Sequence, residues 1–340
     1  SWLVLGNIIS FMYTLKYNVL LDKYNYLYLI LYLSPIICVF VSLYKELKVN
    51  VSLGFRTLII FNILLLFTFV FSPARNADSM RAWLAKINDI ILNSEKILRP
   101  YAHYNLPDAF TFFHLPVIQI GDGQLFQLSI FTCFCSILIL IVKMCKYYTN
   151  NILIYSSLLL FMFNPFITLG ATVIITDMPL ILAFAGIMYS LVYYGHSREN
   201  ISFVFLLIFI AYGLNIKYNA LMIIPSLLFW ILVNLKHNNI KSIGKISYII
   251  IAIALVNSIY PYLLNLIQIG NPVWPALTSI FPSRIPNFDI AANNLTMLFL
   301  NDDRSVYNFL ISIFKLITMP HHINPLIVLL IPFLFRRFVY

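Results

Sequence analysis

The sequence predicts an all-α polytopic membrane protein with about ten transmembrane helices. Of its 340 residues 61% are hydrophobic and only 10% are charged, and the mean hydropathy is +0.89. A soluble domain would carry about 25% charged residues. Several runs of roughly 17 to 20 residues contain no charge, which is the length that a helix needs to cross the hydrocarbon layer.

The predicted spans are single helices, and their boundaries are expected to be uncertain by a few residues. Repeated spans also exclude a cleaved signal peptide as the only hydrophobic element. The chain begins at Ser1 and ends inside an apolar segment at Tyr340, so we expect one transmembrane domain that is a fragment of a longer protein. In chain order the predicted spans are 2–20, 25–44, 57–72, 125–142, 152–169, 179–195, 202–215, 219–235, 246–268 and 323–338.

The net charge of +10 is explained by orientation in a membrane, and it does not indicate a nucleic-acid partner. The basic residues cluster in alternate short loops, which the positive-inside rule places in the cytoplasm. The opposite side then holds loops 73–124 and 270–322, and ten of the twelve acids, all except Glu46 and Glu199. The basic clusters are Lys45, Lys48 and Arg56; Lys143 and Lys146; Arg198; Lys236, Lys241 and Lys245; Arg336 and Arg337.

The first large non-cytoplasmic loop, 73–124, contains a predicted amphipathic helix from Ala77 to Lys96. Its apolar stripe has helical spacing, and Arg81 lies off that stripe. Such a helix either lies in the membrane interface or packs against neighbouring spans. In both cases Asp78 sits at its N-terminal end, just above the lipid, where a carboxylate could carry chemistry. The stripe consists of Met80, Leu84, Ile87 and Ile91.

Two charged residues adjoin apolar runs later in the chain. Asp177 lies in "TVIITDMPL", where it is either a helix N-cap or a functional acid. Lys217 lies with Tyr218 in "YGLNIKYNALMIIP". A lysine in so apolar a stretch is costly and marks an anionic partner or a pathway, unless it lies at an outer turn. Between the first loop and Asp177, Asn164-Pro165 should interrupt the fifth span.

The last third opens with "QIGNPVWPALTSIFPS", where one glycine and three prolines prevent a continuous helix. This segment begins the second non-cytoplasmic loop, 270–322, and we predict that Asn271, Trp274 and Arg284 contact substrate there.

No metal site is indicated by the sequence. Cys133 and Cys135 point to different faces of a helix, and the adjacent pair His321-His322 diverges in the same way. The sequence also lacks a Walker A loop, a dinucleotide-binding glycine motif, HExxH and a nucleophile elbow.

Several segments together resemble a known family. They are "ADSMRAWLAKINDII", "FTFFHLPVIQIGDGQL", "TVIITDMPLILAFAGIMYSL", "GLNIKYNALMIIPSLL", "GNPVWPALTSIFP" and "INPLIVLLIPFLFRR". The set resembles the bacterial integral-membrane glycosyltransferases of the C-type fold, relatives of the protein O-mannosyltransferases and the lipid A aminoarabinose transferase. The resemblance extends from Ser72 to Arg337, and its most specific parts are Lys217-Tyr218 and the Gly-Asn-Pro at 270–272.

The resemblance implies sugar transfer at the non-cytoplasmic face of the bacterial inner membrane, from a polyprenyl phosphate or diphosphate carrier to a lipid, glycan or protein acceptor. Asp78 corresponds to the general base and Asp177 to a further catalytic acid. Lys217, Tyr218 and Arg81 are assigned to the donor phosphate. The family commonly has Asp-Glu where this chain has Asp78-Ser79, so no cofactor is indicated and a requirement for a divalent metal stays open.

Two alternatives use the same residues differently. A transporter or flippase for lipid-linked saccharides would use Asp177 and Lys217 as pathway charges between broken helices. It would not need a fifty-residue outer loop with an interfacial helix. A polysaccharide polymerase acts at the same face but carries its large loop late in the chain.

Overall fold

The computed structural model describes eight helices, so the described part of the chain is all-α as predicted. Their bounds are α1 Asn25–Asn50, α2 Leu53–Val70, α3 Gln124–Lys146, α4 Asn151–Met162, α5 Pro165–Thr172, α6 Asp177–Ser197, α7 Asn200–Leu214 and α8 Lys245–Gln268. The described residues are 25–71, 113–114, 123–147, 151–173, 176–197, 199–217, 220–221, 245–274, 277–278, 280–285, 288 and 290.

The helix bounds agree with the predicted spans within a few residues, except that α1 continues six residues past its predicted end, to Asn50. Three helices, α2, α3 and α6, are long and apolar enough to cross a membrane. The predicted spans 2–20 and 323–338, and almost all of 219–235, lie outside the described residues, so the count of ten stays a prediction. The structure confirms the break at Asn164-Pro165, where α4 ends and α5 begins.

The start of α5 shows why the chain breaks at this point. Asn164 precedes the helix, and its side-chain oxygen accepts a hydrogen bond from the backbone N–H of Ile167 at 3.3 Å. An asparagine in this position caps a free N–H of the first turn. Pro165 occupies the first helical position, where its missing N–H costs nothing.

Helix α3 is the centre of the described bundle. It packs against α1, α2, α4, α5 and α6. In its most apolar stretch 83% of the residues are buried, whereas the figure for α2 is 17%. A helix that is apolar on all sides is typical of a bundle interior or of a membrane span, so α3 takes the first position and the exposed surface of α2 is suited to lipid. The remaining described helices extend this arrangement through the α6–α7 and α7–α8 contacts.

Among the described residues, Lys48, Arg56, Lys143 and Lys146 lie at or near one end of the bundle, which we call the Lys143 end. Lys143, near the end of α3, forms an ion pair with Glu46 of α1, with an N–O distance of 3.7 Å. The Ser52 backbone N–H between α1 and α2 donates a hydrogen bond to the Tyr155 hydroxyl of α4. Tyr147 stacks on His196 near the end of α6, with 4.8 Å between ring centroids.

The opposite end, called the Asp177 end, is held by a second set of contacts. The Tyr32 hydroxyl of α1 donates a hydrogen bond to the Leu125 carbonyl at 2.7 Å. The Gln124 side chain at the start of α3 donates to the Phe71 carbonyl just past α2, at 3.4 Å. Since the ends of α3 and α6 meet at the Tyr147–His196 stack, the two helices run parallel, and Asp177 at the start of α6 lies at this end. For these helices, successive connections therefore lie at alternate ends of the bundle, as the loop charges predicted.

Gly186 of α6 lies directly against Phe209 of α7. A Cβ atom added to this glycine would lie 2.2 Å from the Phe209 ring. No real Cβ contact is that short, so even an alanine would force the ring to move. By contrast, a Cβ atom at Gly195 near the end of the same helix would meet nothing within 4 Å.

We predict that Gly186→Ala lowers the stability of the protein by about 1–3 kcal/mol, the usual cost of overpacking a tight contact. Gly195→Ala is the matched control and should leave the stability unchanged or raise it, because alanine favours helix over glycine. The measurement is the thermal unfolding midpoint of each variant in detergent. Equal midpoints for the two variants would show that α6 and α7 are not packed as described.

Candidate active site at the Asp177 end

Asp177 is the first residue of α6. The helix begins there because the Thr176 carbonyl accepts a hydrogen bond from the Leu180 N–H at 3.2 Å. Pro179 is tolerated in the first turn, where backbone N–H groups have no acceptor within the helix. A carboxylate in the first turn is favoured by the partial positive charge of the helix N-terminus. Asp177 is therefore in the first turn, and Thr176 holds the N-cap position that the sequence had offered for Asp177.

Lys217 follows the end of α7. The helix ends in a tightened turn, in which the Gly213 carbonyl accepts hydrogen bonds from the N–H groups of Ile216 and Lys217. Asn215 is fully buried in this turn, and its side-chain amide donates to the Ala211 carbonyl at 2.8 Å. These bonds satisfy the free carbonyls of a helix end. They also fix the direction in which the chain presents Lys217.

The structure brings the two residues together. The Lys217 ammonium nitrogen lies 2.6 Å from Asp177 Oδ1, although the residues are 40 positions apart in the sequence. The pair stays accessible, since 54% of the Asp177 side chain and 27% of the Lys217 side chain are exposed. A ligand at this end of the bundle could therefore reach both groups.

Close packing below the pair holds it in place. A Cβ atom at Gly213 would lie 3.2 Å from Ala220 and 3.3 Å from Ala183 of α6, so the glycine allows the end of α7 to lie against α6. The Tyr262 hydroxyl of α8 donates a hydrogen bond to the Leu214 carbonyl at 2.9 Å. The end of α7, which precedes Lys217, is thus packed against α6 and hydrogen-bonded to α8.

The pair has the chemistry of an anion-binding group with a built-in orienting carboxylate. A lysine ammonium has three N–H donors, and the ion pair uses one of them. The other two are suited to a phosphate, for which lysine acts as a point charge. Within the described residues no group of three or more His, Cys, Asp or Glu side chains could hold a metal ion.

A second polar contact at this end was not identified from the sequence. The His114 and Ser129 side chains are both fully buried, and His114 Nε2 lies 2.5 Å from Ser129 Oγ. The His114 ring also stacks on Phe126 with 4.2 Å between centroids. These contacts fix residues 113–114 to the first turns of α3. The sequence feature that could have indicated this buried contact is the single histidine among the aromatic residues of "FTFFHLPV".

After α8 the chain turns sharply, as its glycine and prolines predicted. Gly270 has φ +90°, a conformation that other residues rarely adopt, and an added Cβ would lie 2.8 Å from the Arg284 side chain. The turn is closed by the Ile269 carbonyl, which accepts the Arg284 N–H at 2.6 Å. The described residues between Ile269 and Ile285 therefore belong to a closed turn at the Asp177 end.

Within this loop the three predicted substrate residues differ in exposure. Asn271 is fully buried, and its side-chain oxygen accepts the Val273 N–H at 2.9 Å. Trp274 is also fully buried and packs against Phe288, with 5.0 Å between ring centroids. Arg284 is exposed. Asn271 and Trp274 thus shape the loop, and the Arg284 side chain is available to a ligand.

The remaining predicted site residues, Asp78, Arg81 and Tyr218, lie outside the described residues, as does the amphipathic helix Ala77–Lys96. Their roles stay predictions. The last described residue before that helix is Phe71, which contacts Gln124 at the Asp177 end. Asp78 follows it by seven positions.

The fold and the site define a helical membrane protein with a charged pair at one end of its bundle. Residues 109–262 match the family model described as dolichyl-phosphate-mannose-protein mannosyltransferase. This segment is less than half of the chain, and it contains both Asp177 and Lys217. Comparison with curated proteins and with solved structures finds no match.

The match supports a membrane glycosyltransferase with a lipid-linked sugar donor. It agrees with the resemblance seen in the sequence, over residues 109–262. The helices long enough to cross a membrane are consistent with it.

We predict that the Asp177–Lys217 pair contributes about 1 kcal/mol or less to stability, because an accessible ion pair is weakened by water and salt. The test is a double-mutant cycle with Asp177→Asn and Lys217→Met, measured by unfolding in mixed micelles at low and high salt. The Glu46–Lys143 pair at the other end, with Glu46→Gln and Lys143→Met, is the control and should give a similar value. A coupling energy above about 3 kcal/mol would instead indicate a buried structural pair.

Proposed function

We propose that this protein is a glycosyltransferase that moves a sugar from a polyprenyl phosphate or diphosphate carrier to an acceptor hydroxyl, at the extracytoplasmic face of the bacterial inner membrane. The observation that carries the proposal is the accessible Asp177–Lys217 pair. It lies inside the segment that matches a mannosyltransferase family and at the end of the bundle away from the basic loops.

The reaction needs two kinds of group. The bond between the anomeric carbon and the carrier phosphate breaks, and a new bond forms from that carbon to the acceptor oxygen. The acceptor proton must pass to a base, which a carboxylate can supply. The leaving phosphate gains negative charge, which a nearby cation stabilises. A lysine held by a carboxylate at the membrane surface meets the second requirement.

In this proposal Lys217 binds the donor phosphate, with Tyr218 and Arg81 as neighbours in the same role. Asp177 orients the lysine through the 2.6 Å ion pair and is the second acid of the site. Asp78 is the general base that takes the acceptor proton. Arg284 is exposed in the loop after α8 and, with Asn271 and Trp274 shaping that loop, contacts the substrate.

The orientation follows from charge. Lys48, Arg56, Lys143 and Lys146 lie at or near the Lys143 end, and the positive-inside rule places such an end in the cytoplasm. The Asp177 end then faces outward, where a carrier head group would lie at the level of the pair. The acceptor is a lipid, a glycan or a protein.

Asp78→Asn should lower the turnover of sugar transfer roughly a hundredfold or more, because the amide cannot accept the acceptor proton. Asparagine caps a helix as well as aspartate does, so expression and thermal stability should hardly change. The measurement is transfer of labelled sugar from a polyprenyl-phosphate donor in proteoliposomes.

Asp108→Asn is the control for this variant, since the resemblance gives Asp108 in the same loop no catalytic role. It should turn over like the wild type. Near-normal turnover in Asp78→Asn would overturn the assignment of the base. Reduced turnover in Asp108→Asn alone would assign the general base to Asp108 instead of Asp78.

Lys217→Ala should weaken donor use roughly ten- to a hundredfold, since a charge-assisted hydrogen bond to phosphate is worth about 1.5–3 kcal/mol. Lys217→Arg should keep part of the activity because the positive charge remains. The apparent KM for the donor, measured with folded and membrane-inserted protein, reports the effect. Equal values for Lys217→Ala and the wild type would refute a role for Lys217 at the phosphate.

A further inference from the structure

The chain that follows α8 exposes apolar side chains after the helix has ended. Leu277, Ile280 and Phe281 are all exposed, and Ile280 is 64% accessible. The Leu277 carbonyl accepts hydrogen bonds from the N–H groups of Ile280 at 3.0 Å and Phe281 at 2.9 Å, so the three residues belong to one helical turn. Residues three and four positions apart lie on the same side of such a turn. We call these three residues the apolar turn.

The backbone of the apolar turn would accommodate a smaller residue more easily. Leu277 has φ +53°, in the left-handed region that bulky residues seldom adopt. A glycine would adopt this conformation without steric cost. An exposed leucine at this position adds nothing to the described core, so contact with something outside the protein would account for it.

The end of α8 fixes the level of the apolar turn. The Ile269 carbonyl accepts a hydrogen bond from the Arg284 N–H at 2.6 Å and another from the Ser283 hydroxyl at 3.3 Å. Phe281 precedes Ser283 by two residues, so at most about 7 Å of extended chain separates their backbones. The apolar turn therefore lies beside the end of α8, at the Asp177 end of the bundle.

The exposed face of α8 reaches the same level. The helix coincides with the predicted span 246–268, and its 24 residues measure about 36 Å, slightly more than a hydrocarbon core of about 30 Å. Exposed apolar side chains recur at helical spacing up to its penultimate residue, Ile267, which is 71% accessible. A surface suited to lipid thus extends along α8 as far as the apolar turn. The row consists of Ile249, Ile253, Val256, Leu263 and Ile267.

Arg284 supplies a charge that is complementary to a membrane surface. Its side chain is exposed, three residues after Phe281. A Cβ atom added to Gly270 would lie 2.8 Å from Arg284 Cγ, so the arginine stem lies against the turn that ends α8. Arginine side chains at such a level lay their stems along apolar surface and place the charged group among the lipid phosphates.

We propose that the apolar turn inserts into the leaflet at the Asp177 end and that Arg284 binds lipid phosphate beside it, so that the bilayer holds the chain after α8 in place. The partner is a phospholipid surface. An apolar side joined to a basic residue is the composition by which interfacial segments bind membranes. The proposal does not depend on sugar transfer, although the phosphate of a carrier lipid would lie in the same layer.

The first test measures the depth of the apolar turn with the fluorophore NBD. Cys38→Ser removes the exposed native cysteine, and the other three cysteines are buried, so an NBD maleimide labels a cysteine introduced by Ile280→Cys in the full chain. In vesicles of phosphatidylethanolamine and phosphatidylglycerol, nitroxide groups on the lipid acyl chains should quench this label, and aqueous iodide should not. Thr278→Cys is the matched control, since position 278 lies in the same turn but on another side. Iodide should quench the label at position 278.

A label introduced by Ile267→Cys, in the exposed row of α8, provides the signal of a lipid-facing side chain. Equal quenching by iodide at positions 278 and 280 would overturn the proposal and leave the turn in water. Protection of position 280 from both quenchers would also overturn it, because another segment of protein would then cover the turn.

The second test asks which groups hold the turn in the lipid. With the label introduced by Phe281→Cys, Ile280→Asp should abolish quenching by the nitroxide lipid, since a carboxylate is costly to bury without a partner. Thr278→Asp should leave this quenching in place. Arg284→Gln should lower the ratio of lipid-inserted to water-exposed label roughly fivefold in phosphatidylglycerol vesicles, the effect of one basic residue near an anionic surface. Unchanged quenching in Ile280→Asp would contradict insertion, and an unchanged ratio in Arg284→Gln would contradict the phosphate contact.

Discussion

The burial of α3 is the interaction on which the other described contacts depend. Both ends of this helix are fixed to its neighbours: Leu125 and Gln124 at one end bind Tyr32 and the Phe71 carbonyl, and Lys143 at the other binds Glu46. Because the backbone polar groups of a span must be satisfied within their own helix, such helices meet only through side chains and their ends. The central helix therefore sets which ends of its neighbours lie together.

The proposed site follows from that arrangement. Asp177 begins α6 and Lys217 follows α7, and each lies where its helix reaches the Asp177 end. Gly186 and Gly213 let the two helices approach closely enough for the side chains to meet. An ion pair this accessible adds little to stability, which is compatible with the proposed role of its charges in binding a ligand.

The exposed helix α2 is the complement of the central packing. Helix α2 stays largely exposed and contributes few buried side chains, among them Ile59 and Ile63. In water an exposed apolar surface would mark an interaction site, and in a bilayer it can face the lipid.

The sequence by itself determined the helical class, the break at Asn164-Pro165, the turn at Gly270 and the alternation of charged ends, because these depend on local hydropathy, backbone chemistry and loop charge. It also identified Asp177 and Lys217 individually. Only the tertiary structure decided that they form a pair, that His114 is buried against Ser129, and that Asn271 and Trp274 face inward. The reason is physical: such contacts join residues far apart in the chain, and their geometry depends on how the helices pack.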